Sequence, residues 1–127
     1  MTKKELKELM SLPMTDVGNA LRLQILFGKR WVYLPQYHYW MYRDRHCWTG
    51  KRSVYAVCAA ASAFRELAEE IYRMPVPKGW WEQSHRVRII SWLMQSSRPT
   101  CAKHALNMFR DMQVEEGAVK EVVVRDN

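Results

Sequence analysis

Nothing in this chain is apolar for long enough to cross a membrane as a helix. The longest apolar run, residues 54–64, is rich in alanine and well short of the roughly 18–20 residues that a bilayer needs. Cysteine is scarce: there are three, Cys47, Cys58 and Cys101, and they form no Cys-x-x-Cys pair. An odd count without a signal-peptide pattern points to a reducing, cytoplasmic setting. No Walker A pattern, no Gly-x-Ser-x-Gly turn and no paired-carboxylate spacing occurs. His38, His46, His85 and His104 lack the spacing of a zinc motif, and the adjacent His46-Cys47 reads as a surface thiol beside arginines. The expectation is a protein that is not an enzyme, with no cofactor and no metal. Acids are also few, except at the end. Residues 1–110 carry 18 Lys and Arg against 8 Asp and Glu, whereas 111–127 carry 2 against 5. A basic body with an acidic tail favours a polyanion such as nucleic acid, or an acidic protein surface.

What remains is 127 residues, 48% of them hydrophobic, enough for one modest core. We expect one globular domain over residues 1–112, followed by an acidic tail, 113–127, in which Val119-Lys120-Glu121-Val122-Val123-Val124 is a short strand or, being short and charged, an unpaired segment. Thr2 and Glu5 form a capping-box pattern opening a short helix that carries Leu6, Leu9 and Met10 and packs loosely. Thr15 caps a second helix, whose apolar face begins at Val17 and Leu21 and which Gly28 ends. From Ser53, Val54, Val57, Ala61, Phe64, Leu67 and Ile71 recur at three- and four-residue steps over about five helical turns. Prolines 75 and 77 force a connection that runs to Trp80-Trp81. A helix over 82–95 then turns Val87, Ile89 or Ile90, and Leu93 or Met94 inward, with His85, Arg86 and Arg88 on its other side as a phosphate-contacting row or simply a wet face. Thr100 caps a last helix with Ala102, Ala105, Leu106, Phe109 and Met112 buried.

Strand signals are confined to residues 31–48. Trp31-Val32-Tyr33-Leu34 and Tyr39-Trp40-Met41-Tyr42 are separated by a Pro35 turn, and a polar Arg43-Asp44-Arg45 turn leads to Trp48. The fold expected is therefore α+β, a small antiparallel hairpin or three-stranded sheet against four or five helices. Trp31, Trp40 and Trp48 suit the core between sheet and helices. Tyr37, Tyr39 and Tyr42 suit a solvent face that stacks on bases, flanked by Lys29, Arg30, Arg43, Arg45, Lys51 and Arg52. Seven basic residues and one acid lie between Arg22 and Arg52, denser than an ordinary solvated face.

Two motifs in this region carry a resemblance. Thr15-Asp16-x-Gly18-Asn19-Ala20, followed by a helix and a strand with an aromatic and then Leu34-Pro35, and Trp40-x-Tyr42-x-Asp44-x-x-x-Trp48 resemble the N-terminal domain of phage and plasmid primase-helicases. There a "T-D-x-G-N-A-x-R" opening and a "W-x-x-W-D-G-x-x-W" hairpin precede a superfamily 3 helicase. His46-Cys47 replaces the glycine-bearing turn of that pattern, and the chain ends before a helicase would begin. The resemblance implies a freestanding, nucleic-acid-binding replication accessory of a phage or mobile element, holding single- or double-stranded nucleic acid or a replication protein. A second expectation comes from another class: a small phage-encoded protein inhibitor of a host defence complex, of the anti-CRISPR type. Trp, Tyr and Arg dominate protein-interface hot spots as readily as they bind nucleic acid.

Overall fold

The computed structural model describes residues 1–116. Five helices, α1 (Lys3–Ser11), α2 (Asp16–Phe27), α3 (Ser53–Arg73), α4 (Trp80–Ser96) and α5 (Pro99–Glu116), surround one face of an antiparallel sheet of β1 (Trp31–Leu34), β2 (Tyr39–Asp44) and β3 (Cys47–Lys51). The strands lie in the order β1-β2-β3. This is the α+β arrangement expected.

Period-two alternation gives the sheet two different faces. Trp31 pairs with Tyr42 and Tyr33 with Trp40, and these four point at the helices, where Trp40 stacks on Phe109 with ring centroids 5.9 Å apart. Val32, Leu34 and Met41 point the other way and are buried beneath Tyr39 and Trp48. The three tryptophans assigned to the core are thus divided: Trp31 and Trp40 are buried in the main core, and Trp48 half-covers the second cluster. Gly50 leaves room for the Tyr39 ring, which comes to 3.0 Å from where a Cβ would stand.

The segment with the most motif-like sequence is a structural knot. Thr15 Oγ1 accepts the Gly18 amide and caps α2. A Cβ on Gly18 would stand 1.9 Å from the Pro13 carbonyl oxygen, so the turn before α2 can fold back only over glycine. Asn19 donates to Ser96 Oγ and accepts from Arg22 and from the Trp92 indole, tying α2 to α4. Arg22, fully buried, donates to the carbonyls of Leu9, Leu12 and Pro13. The loose packing expected of α1 is therefore corrected, because Leu6 and Leu9 are buried and Arg22 clamps the helix's C-terminal end.

Four further expectations change. Val17 and Val54 face solvent, since Ala20, Leu23 and Phe27 in α2 and Ala56, Ala60 and Phe64 in α3 occupy the inner sides. Helix α4 begins at Trp80 itself, and its buried stripe is Ile89 and Leu93, which leaves Val87 and Met94 exposed. Arg43 and Asp44 belong to β2, and the turn is Arg45-His46, with Arg45 at φ 57°. Finally, the tail does not begin at 113, for α5 continues to Glu116 and Gln113 is buried. The segment 119–124, expected as a short strand or unpaired, lies outside the described residues.

Gln113 has a defined task. Its amide nitrogen donates to the Trp31 carbonyl and its oxygen accepts the Tyr33 amide, closing the free edge of β1 as a neighbouring strand would. Gln113→Ala should strand both backbone groups and destabilise the fold by about 1–3 kcal/mol. A urea midpoint equal to the parent's would contradict that role.

Candidate nucleic-acid interface

Gly28 ends α2 at φ 56°, a region that L side chains rarely adopt, and the chain reverses there. The reversal projects Lys29 and Arg30 from the start of β1. The Arg43 amide donates to the Arg30 carbonyl at 2.8 Å, which holds the end of β2 against this corner. Arg43 Nε in turn donates to the Arg45 carbonyl at 3.1 Å and braces the Arg45-His46 turn. Lys29, Arg30, Arg43 and Arg45 thereby converge on one groove of about 350 Å³, with Tyr42 as a wall and Asp44 as its one acid. Among the described residues, none of these four cations is in an ion pair; the pairs there are Arg73 with Glu69 and Glu70, and Arg110 with Asp111.

The other expected site residues lie elsewhere. Tyr42 shares the helix-facing side of the sheet, half-buried with its ring 4.8 Å from that of Trp31, so it does not stand on the solvent face as expected. Strand parity fixes this, because Trp40 two residues earlier points into the core. Tyr37 is exposed at the opposite hairpin tip and Tyr39 lies half-buried beside it, centroids 5.8 Å apart. Lys51 pairs across the sheet with Trp40, away from the groove, and its Nζ lies 5.7 Å from the Tyr55 ring; Arg52 follows at the N-terminus of α3. Arg86 is not a free phosphate contact: it donates to the Tyr72 carbonyl at 2.6 Å and reaches those of Ile71 and Met74, closing the C-terminus of α3. Arg88 is exposed, 5.8 Å from the Trp81 ring.

Two features escaped the sequence reading. Trp80 and Trp81 are both strongly exposed on the first turn of α4, and Arg22, counted there among the surface cations, is interior. Among the described residues no group of three His, Cys, Asp or Glu is placed to hold a metal ion, and no helix is long and apolar enough to cross a membrane. No protein-family model, curated protein or solved structure matches the chain.

Proposed function

We propose that this chain is a non-enzymatic nucleic-acid-binding accessory module of a phage or mobile element, akin to the N-terminal domain of primase-helicases and acting in the cytoplasm of a bacterial host. The observation that carries the proposal is the convergence of Lys29, Arg30, Arg43 and Arg45 on one groove without a matching set of acids. Such like-charge crowding is unfavourable for the folded chain and becomes favourable when phosphates occupy the groove. Arg45 adds to this, since a non-glycine residue at φ 57° costs about 1–2 kcal/mol, and such strain is concentrated at functional sites.

With about four phosphates neutralised per groove, log K should fall with log salt at a slope of about −3.6 on duplex DNA and about −2.8 on a single strand. Fluorescence anisotropy with labelled oligonucleotides between about 50 and 200 mM salt reads this slope, as an affinity loss of roughly fifty- to a hundred-and-fifty-fold. No binding at low salt, or a slope near zero, would defeat the proposal.

The second reading, a protein inhibitor of a host defence complex, is favoured by a different observation. Tyr72, Trp80, Val87 and Met94 leave apolar surface uncovered on the α3–α4 side. A pull-down from nuclease-treated host lysate that recovered one stoichiometric protein, together with no oligonucleotide binding, would move the assignment to that class.

A further inference from the structure

Helix α4 presents a second apolar line, distinct from the Ile89 and Leu93 stripe it buries. Trp80, Val87 and Met94 recur every seven residues, and two turns of α-helix bring such residues back to nearly the same side with a drift of about 20° per step. All three face solvent, Trp80 at 77% and Val87 at 64% exposure. Beside Met94 the helix borders an almost wholly apolar hollow of about 280 Å³, lined by Ala68, Tyr72 and Ile90, with Glu69 and Arg73 on its rim.

We propose that this face is a homodimer interface in which two copies of α4 pack antiparallel about a twofold axis at Val87. The spacing is self-complementary: seven residues before Val87 stands Trp80, seven after it stands Met94, so an antiparallel partner sets each Trp80 against the opposite Met94. Trp80 of one copy then enters the hollow of the other, where an indole finds aliphatic walls, the Tyr72 ring and the Met94 thioether. Charge agrees at the same place, because Lys78, two residues before Trp80, arrives at the rim beside Glu69, whose pairing with Arg73 at 3.9 Å is long and open to a second cation. The area is sufficient too. The exposed parts of Tyr72, Val76, Trp80, Val87 and Met94 amount to roughly 700 Å², within the range that each side of a standard-size interface buries. None of the groove cations lies on this face, so the dimer does not depend on nucleic-acid binding.

Sedimentation velocity of the nuclease-treated full chain, from roughly 1 to 100 μM, tests this in a concentration range where micromolar dimers dissociate. The expected result is a reversible species of twice the 15.1 kDa chain mass. Trp80→Ala and Met94→Lys should each raise its dissociation constant at least about tenfold with an unchanged circular-dichroism spectrum, as loss of a central anchor does. Lys78→Glu should also weaken it, and Glu69→Lys in the same chain should restore it. A parent that sediments at 15.1 kDa throughout, or Trp80→Ala and Met94→Lys variants that dimerise as the parent does, would overturn the proposal. Failure of the Glu69→Lys rescue would overturn the antiparallel pairing.

Discussion

Arg22→Ala should be among the most damaging single changes in the chain, lowering stability by about 3–5 kcal/mol, the range seen when a buried charged network loses one member. Small domains have only about 5–15 kcal/mol in total, so a large unfolded fraction is expected. The reason lies in what the guanidinium serves. Its nitrogens donate to the carbonyls of Leu9, Leu12 and Pro13 and to Asn19 Oδ1. Three of these acceptors belong to the backbone where α1 ends and the chain turns toward α2, so no second substitution can remove them. A buried ion pair can often be replaced by apolar side chains at little cost; a buried cation that satisfies main-chain carbonyls cannot. The negative end of the α1 dipole takes the place of a carboxylate partner. Burial lowers the Arg22 pKa to about 10, which leaves it a cation at neutral pH.

Arg22→Met separates this account from simple packing. Methionine fills much of the same volume but donates nothing, so it should fail nearly as badly as alanine, whereas Arg22→Lys should fall between, keeping the charge and losing the fork. Urea denaturation of the three variants decides the matter. A methionine variant with the parent's midpoint would show that the carbonyls find other partners.

The sequence carried the architecture well where a single pattern was present. Phe64, Leu67, Ile71, Ala105 and Phe109 are buried as their three- and four-residue spacing implied, because in α3 and α5 no rival stripe competes. In α4 two stripes do compete. Ile89 with Leu93, and Val87 with Met94, are both apolar, and only the packing of α3 and α5 selects the first. Pro75 and Pro77 announce a connection that the sequence carries on to Trp80-Trp81, and Gly79 offers no capping side chain to show that the helix starts at Trp80. A charged residue such as Arg22 is usually on the surface; the signal that this one is interior lies in unpaired carbonyls, which no sequence displays. The arrangement of the candidate residues was half legible. Lys29, Arg30, Arg43 and Arg45 come together as their crowding in sequence suggested, while Tyr37, Tyr39, Lys51 and Arg52 lie away from them. Tyr42 was legible and misread, since its parity with Trp40 already set it on the core side.

Neutralising the groove is the change with the largest expected effect on binding. In a variant carrying Lys29→Ala, Arg30→Ala, Arg43→Ala and Arg45→Ala, each lost cation should remove about one unit of salt slope, leaving oligonucleotide binding nearly independent of salt. At about 50 mM salt the affinity should fall on the order of a hundred- to a thousandfold, or about 3–4 kcal/mol. Stability should move the other way or not at all. Four like charges share the groove with Asp44 alone, and their mutual repulsion is present in the folded protein before any phosphate arrives. Removing them relieves that repulsion, and alanine at position 45 retains the positive φ strain unchanged in kind. The thermal midpoint at low salt should therefore be equal to the parent's or slightly higher. The groove serves function at the expense of stability if binding collapses while the midpoint holds or rises. A lower midpoint with binding retained would make these residues part of the scaffold, with the Arg43 bond to the Arg45 carbonyl as their contribution, and the half-buried Lys51 and the exposed Arg52 and Arg88 would then be the phosphate contacts to test.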